Sequence, residues 1–302
     1  VSNPEKVTTA RLPENNHIVN GYSRNGKNVV LFLSDMFTGG YMVDVLKEHP
    51  EYEEALSGFT WYRNSLAPSY KTCGSMASIM AGEEFLPLEL NKMPGSGREK
   101  LRKAAEIMVD RFKERDYSVS IIGGESAYLN LKDFKDVDYA YRYPYGEYWK
   151  QKYRSGEKEV RLIDQGHLFM MLTIFQNAPY FLKPIIYNEG CWFIFSRKAL
   201  FWTVEDHVYP NYGFMQLLPE ISNAESKGNT FKYIHNSLTH GPYGVNRHGE
   251  VIMPGEQPDE NSEGFYFGKS PYYSTVTFVE FFIKWLDWLK EEGIYDNTYI
   301  IL

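Results

Sequence analysis

The chain has 302 residues, of which 43% are hydrophobic and 16% aromatic, and its formal net charge is −7. This composition provides for a sizeable core and argues against disorder, and the length suits one large α/β domain or two small ones. The acidic balance argues against nucleic acid as the main partner, because binding a phosphate backbone requires a basic face.

The first 27 residues are polar and irregular, which is typical of a linker or a surface arm. The sequence contains no signal peptide and no apolar run long enough to span a membrane. It starts without methionine, so we expect it to be a processed or excised piece of a longer protein. The lack of targeting signals in this piece then says little about that longer protein. Its two cysteines, Cys73 and Cys191, make neither a disulfide framework nor a zinc site, and whether they are bridged stays open.

Strands and helices alternate through the next part of the chain. The run NVVLFLSD at 28–35 is short, apolar and rich in β-branched residues, as in a strand buried on both faces. The following elements are predicted after it: a helix at about 41–49, a strand or extended segment at 59–67, a short helix at 72–81, a helix at 98–116 and a strand at 117–124. This order predicts βαβ units and a mostly parallel sheet.

The second half of the chain is dominated by aromatic residues and one long amphipathic helix. Residues 178–215 are aromatic and interrupted by prolines, which fits core packing, a lid or a surface near lipid. The remaining predictions are a helix at 161–177, a strand that ends in a Gly-Pro turn at 229–244, a polar loop at 245–269, a helix at 271–292 and a buried strand at DNTYIIL. Pro271 in the first turn and Gly293 after the last turn delimit that long helix.

Three residues are candidates for chemistry. Asp35 follows the first strand, where a carboxylate would face the crevice above a parallel sheet and could bind a hard cation; the alternative is a helix cap or a turn. Thr72 begins a predicted helix and is either a plain N-cap or a hydroxyl at the positive end of a helix, where a phosphate could bind. His240 lies on a tight turn after a strand and either contacts phosphate or packs in a loop, whereas His235 is expected to pack within the strand.

Four stretches in order resemble the sulfatase-like branch of the alkaline phosphatase superfamily, and lipoteichoic acid synthases and phosphoethanolamine transferases most closely. They are NVVLFLSDMF, LSGFTWYRNSLAPSYKTCGSMASIMAG, HNSLTHGPY and VEFFIKWLDWLKEEGIYDNTYIIL. The resemblance spans residues 28–302 and matches poorly in the middle. It implies an alkaline-phosphatase-like α/β fold, with a mostly parallel central sheet flanked by helices.

The resemblance also implies roles for the candidate residues. Asp35 would be a metal ligand, Thr72 both metal ligand and nucleophile, and His240 a substrate-binding residue. The cofactor would be one divalent ion, manganese first, with zinc, magnesium or calcium as alternatives. The donor would be a phospholipid headgroup, phosphoglycerol or phosphoethanolamine, and the acceptor a glycan or a lipid. The chain would be the catalytic domain of a membrane-anchored phosphotransferase on the extracytoplasmic side, attached through segments outside residues 1–302.

Two departures from the family pattern bear on this expectation. Cys73 is followed by Gly-Ser-Met-Ala and lacks the proline and arginine of the sulfatase formylglycine motif, which disfavours a sulfatase. The family's Asp-His metal pair should follow YIIL, where this sequence ends, so we expect weak metal binding and little turnover from this chain alone. A hydrolase of the same fold, or a non-catalytic domain that binds lipid or a partner protein, remains an alternative.

Overall fold

The computed structural model describes residues 20–123, 134–141, 170, 172–187, 204–252 and 269–302. The strands are β1 (Asn20–Ser23), β2 (Asn28–Ser34), β3 (Tyr117–Ile122), β4 (Tyr139–Tyr141), β5 (Ser222–Ser226), β6 (Asn229–Asn236) and β7 (Thr298–Ile301). The helices are α1 (Gly39–Glu48), α2 (Glu51–Ala55), α3 (Thr72–Ala81), α4 (Pro87–Lys92), α5 (Gly97–Lys113), α6 (Lys183–Tyr187), α7 (Val204–Leu217) and α8 (Ser270–Glu291). None of the helices within these ranges is both long and apolar enough to cross a bilayer.

The main sheet has five strands in the order β4-β3-β6-β2-β7, and all of its paired neighbours run parallel. A second, two-stranded parallel sheet joins β1 to β5. Helices pack on the main sheet, so the predicted α/β architecture with mostly parallel strands is confirmed.

Strand β2 lies near the middle of the sheet and is covered on both faces. Val30 and Phe32 join the core formed with α1, α7 and α8, and Phe32 meets the rings of Phe278 and Phe282 with centroids 5.7 Å away in each case. On the opposite face of the strand, Val29, Leu31 and Leu33 pack against the core formed with α3 and α5. Burial on both faces explains why this strand is a continuous apolar run rather than an alternating one.

The two long helices follow their sequence signals. Helix α5 begins at a capping box between Ser96 and Glu99 and ends at Lys113, three residues earlier than predicted. Helix α8 has Pro271 in its first turn, and Gly293 follows its C-terminal end with φ of +69°. Such a positive φ strains any residue with a side chain, so glycine ends the helix at low cost.

Three segments differ from the sequence-based predictions. Residues 59–67 form no strand but an irregular connection, in which Phe59 packs on Phe282 while residues 60–68 are exposed. Asn20–Ser23, assigned to the arm, forms a buried strand because Tyr22 packs between Trp285 and Trp288. Strand β7 joins the sheet as predicted, but it lies at the edge and is only half-buried.

Several predictions concern segments outside the described residues. These are the arm at residues 1–19, most of the helix at 161–177, the middle of the aromatic segment 178–215, most of the loop at 245–269 and any partner of Cys191. Residues 172–177 are helical, as predicted.

Lys232 is a buried lysine in the centre of strand β6. Its side chain is 1% exposed, and Nζ lies 4.7 Å from the centroid of the Tyr22 ring. Among the described residues no carboxylate forms an ion pair with it. Burial lowers the pKa of Lys232 to about 7, because the charged form loses its hydration.

Candidate functional site

Asp35 and Thr72 meet at the carboxyl edge of the main sheet. Asp35 follows β2 directly, and its backbone N–H donates to the carbonyl of Asn236 at 2.9 Å. Thr72 is the first residue of α3, and its hydroxyl donates to Oδ1 of Asp35 at 2.6 Å. Two candidates 37 positions apart in the sequence are thus in direct contact, at the edge where parallel sheets carry their ligand sites.

The start of helix α3 decides between the two interpretations of Thr72. Lys71 occupies the N-cap position with extended backbone angles, and no side chain caps this end. The interpretation of Thr72 as a plain N-cap is therefore wrong, since its hydroxyl is bound to Asp35. The first-turn N–H groups and the positive end of this ten-residue helix face the same region and favour an anion there.

His235 is a further member of the site that sequence analysis placed only in the strand. It is buried, as expected, but its Nε2 lies 3.5 Å from Oδ2 of Asp35. That separation is at the long limit of a hydrogen bond, so the contact is mainly electrostatic. Because His235 pairs with Leu33 across the parallel ladder, its side chain emerges on the face from which Asp35 also projects.

The carboxyl of Asp35 is held in its ionised form. Burial raises its pKa, but the contacts with His235 and Thr72, together with the charges of His235 and His240, outweigh burial. The pKa of Asp35 therefore lies below its ordinary value. A carboxylate with a lowered pKa is a weak base but a good ligand for a cation.

His240 lies on a turn that is tied to the same edge of the sheet. The hydroxyl of Thr239 donates to the backbone carbonyl of Asp35 at 2.6 Å and lies 2.9 Å from the hydroxyl of Ser34. Nδ1 of His240 is 2.6 Å from the carbonyl of Gly241, so the Nδ1–H donates to that oxygen. The Gly241-Pro242 peptide in this turn is cis.

Helix α7 braces this turn through two residues that sequence analysis did not select. Nε2 of His207 lies 3.0 Å from the carbonyl of Ser237 and 3.1 Å from that of His240, and its ring meets the ring of His240 edge to face. Oδ1 of Asn211 accepts from the N–H of Ser237 at 2.6 Å. Burial, followed by the charge of His240, lowers the pKa of His207 to about 4, so this histidine is neutral at pH 7.

The residues before Thr72 are fixed against its helix. The N–H of Ser69 donates to Oγ of Ser75, and this hydroxyl lies 3.2 Å from the carbonyl of Ser69. Gly74 leaves room for this contact, because a Cβ at position 74 would lie 2.7 Å from Cβ of Ser69 and closer still to its Oγ. The small residues of the sequence TCGS thus allow residues 69–71 to lie across the first turn of α3.

Two oxygen ligands for a cation lie together among the described residues of the site. Within the described ranges, no group of three or more His, Cys, Asp or Glu side chains is arranged to hold a metal. The carboxylate of Asp35 and the hydroxyl of Thr72 are close enough to bind one cation together. Cys73, the next residue, is a free thiol.

The missed residues lacked a recognisable signal. His235 could be linked to Asp35 only if β6 were known to neighbour β2. His207 belongs to no motif. Compared with known proteins, the chain matches no protein-family model and no characterised protein at a significant level.

Proposed function

We propose that this chain is the catalytic part of a metal-dependent phosphotransferase with an alkaline-phosphatase-like fold, resembling the sulfatase-like enzymes that transfer phospholipid headgroups. In this proposal the Thr72 oxygen attacks the phosphorus of the donor phosphodiester, and the bond from phosphorus to the diacylglycerol oxygen breaks. That oxygen leaves with the proton that Thr72 loses, and the headgroup phosphate stays on Thr72 as a phosphodiester. An acceptor alcohol, or water, then takes the phosphoryl group and releases the hydroxyl. The same proposal includes attachment of the protein to the membrane, with the catalytic domain on the extracytoplasmic side.

The contact between Thr72 and Asp35 is the observation that carries this proposal. A threonine hydroxyl is a poor nucleophile unless a base or a metal activates it. Here the hydroxyl already donates to an ionised carboxylate at 2.6 Å, and it lies at the positive end of a helix. A cap or a packed threonine would need neither feature, whereas a nucleophile that attacks a phosphate diester uses both.

The donor set at this site fits a hard divalent cation in part. Asp35 Oδ1 and Thr72 Oγ1 are oxygen ligands of the kind that manganese, magnesium or calcium prefers. A bound cation would lower the pKa of the Thr72 hydroxyl and neutralise charge on the phosphate. Strand β7 runs parallel to β2 with Ile301 opposite Leu31, so a continuation of β7 would pass beside Asp35.

The other residues have complementary roles in the proposed reaction. Asp35, with its lowered pKa, orients the hydroxyl and binds the cation rather than removing a proton. The first-turn N–H groups of α3 bind the equatorial oxygens of the phosphoryl group. His240, whose turn is held by His207, would bind the phosphate of the donor.

Single-turnover labelling tests this proposal. The protein is incubated with manganese and with phosphatidylglycerol or phosphatidylethanolamine, and mass spectrometry searches for an adduct on Thr72. We expect a phosphoryl-headgroup adduct that requires manganese, disappears in Thr72→Ala and persists in Thr72→Ser. Ser78→Ala is the matched control, because Ser78 lies in the same helix and its hydroxyl only donates to Ser75.

The possible results separate the alternatives. An adduct that persists in Thr72→Ala would refute the threonine as nucleophile. An adduct that forms and is lost to water alone would identify a hydrolase of the same fold. Absence of any adduct in folded protein with either donor would favour a non-catalytic binding domain.

A further inference from the structure

The connection that leads into Thr72 exposes an unusual set of side chains. Residues 60–68 are all exposed, and this stretch contains Trp61, Tyr62 and Leu66. Leu66 and Tyr70 are each 92% exposed. Large apolar and aromatic side chains this accessible, clustered in one segment, mark an interaction surface rather than ordinary surface variation.

The charges of this segment are all positive. Arg63 lies over the ring of Trp61, with Cζ 4.7 Å from the centroid, and Nζ of Lys71 lies 5.4 Å from the centroid of the Tyr70 ring. Residues 59–71 contain these two cations and no Asp or Glu, although the whole chain has a net charge of −7. The segment is therefore a basic, aromatic surface on an acidic protein.

This segment adjoins the candidate site. Lys71 directly precedes Thr72, and Met36 directly follows Asp35. The Thr72 hydroxyl and the Asp35 carboxylate are 2.6 Å apart, so Met36 and Tyr70 each lie within two positions of a residue in this contact. Met36 is 54% exposed and has φ of +59°, a strained angle for a residue with a side chain. Exposed apolar side chains thus occur on both segments that meet at this contact.

We propose that residues 61–71, together with Met36, form a membrane-contact surface that sits on an anionic phospholipid bilayer and brings lipid headgroups to Thr72. Trp and Tyr side chains favour the boundary between hydrocarbon and headgroups, and Arg and Lys reach the phosphates from the same depth. The two cations complement the negative surface of such a bilayer. The inference deepens the proposed function and rests on it for the use of the lipid, but the binding itself requires no turnover.

Charge substitutions test the electrostatic half of this inference. Vesicles of phosphatidylcholine mixed with phosphatidylglycerol are sedimented with the full 302-residue chain, and the bound fraction gives the partition constant. Arg63→Gln with Lys71→Gln should lower that constant about thirtyfold at low salt. The matched control is Arg115→Gln with Lys135→Gln, which removes two exposed cations elsewhere and should change little. Vesicles of phosphatidylcholine alone should bind wild type weakly.

Apolar substitutions test insertion. Leu66→Ser with Tyr70→Ser should lower binding about tenfold or more, while Leu88→Ser with Tyr180→Ser, which are similarly exposed, should not. Lipids with brominated chains should quench the fluorescence of Trp61, and Trp61→Phe should remove most of that quenching. Since all these side chains are exposed, the variants should keep wild-type circular dichroism.

The outcomes distinguish this inference from the proposed function. Vesicle binding that is unchanged in both double variants would overturn the membrane surface, whatever the labelling of Thr72 shows. Normal binding with no adduct on Thr72 would refute the phosphotransferase and leave the surface standing. Exposed aromatic residues could instead dock a second copy of the chain, and loss of self-association in Tyr70→Ser without loss of vesicle binding would overturn our assignment in favour of that copy.

Discussion

Replacing Lys232 by methionine should stabilise the protein, and the gain should depend on pH. The pKa of Lys232 falls from 10.5 in the unfolded chain to about 7 in the fold. At about 1.36 kcal/mol for each pKa unit, this difference costs the folded state about 5 kcal/mol at pH 6, where lysine is charged in the unfolded chain. Attraction between the ammonium group and the Tyr22 ring offsets up to about 2 kcal/mol, so we expect Lys232→Met to raise the free energy of unfolding by about 3 kcal/mol.

The sign of the pH dependence follows from the same pKa values. Between pH 7 and 10.5 the unfolded chain binds more protons than the fold, so wild-type stability rises with pH while the variant lacks this rise. The gain should therefore shrink to about 1 kcal/mol or less by pH 10. Urea titrations of both proteins at pH 6 and pH 10 measure the difference. Lys284→Met, at an exposed site on α8, is the control and should change stability by about 0.5 kcal/mol or less.

Two results would refute the reasoning about Lys232. An equal gain at both pH values would mean that methionine stabilises by packing alone and that the pKa of Lys232 is ordinary. A loss of stability would mean that the ammonium group has a partner stronger than the Tyr22 ring. Either result would remove desolvation as the dominant effect at this position.

The remaining predictions concern the site. Gly74→Ala should displace residues 69–71, because its Cβ would overlap Ser69, and so it should slow labelling of Thr72; Ser69→Gly in the same chain should restore the rate. Because the pKa of His207 is lowered to about 4, its contribution to the free energy of unfolding is full above pH 6.5 and is lost as pH falls towards 4. In His207→Gln, thermal unfolding should therefore show about 3 kcal/mol less loss of stability over that pH range. A slower labelling rate that Ser69→Gly does not restore, or an unchanged acid transition, would contradict these expectations.

The parts of the fold that were predictable are those that local pattern determines. The apolar run of β2, the glycine that ends α3 and the stripe of α8 gave correct elements because burial on two faces, glycine at a helix end and a 3.6-residue period leave direct traces in sequence. Residues 59–67 misled because aromatic residues suit a half-buried strand and an exposed interaction surface equally well. Whether a strand lies at the centre or the edge, as for β7, depends on strand order.

The candidate site was predictable only where each residue carried its own signal. Asp35 ends a strand and Thr72 begins a helix, so each could be selected singly, but their 2.6 Å contact required the fold. His235 and His207 act through neighbours contributed by other elements, and a single sequence does not say which strands and helices are adjacent. The resemblance to sulfatase-like enzymes assigned roles to Asp35, Thr72 and His240, and these roles stay predictions.

Thr72, the proposed nucleophile, lies on helix α3 and is held as firmly as the core beneath that helix. Met76, Ala77 and Met80 of that helix are buried against α5 and the sheet. A helix with this anchoring moves as a rigid rod, and a displacement of about 1 Å at a reacting atom can cost a hundredfold in rate. Truncation of a buried methionine that leaves the protein folded should therefore lower the rate of the proposed reaction strongly while lowering the unfolding temperature only slightly. Along this one helix, the effects of core substitutions on rate and on stability should differ.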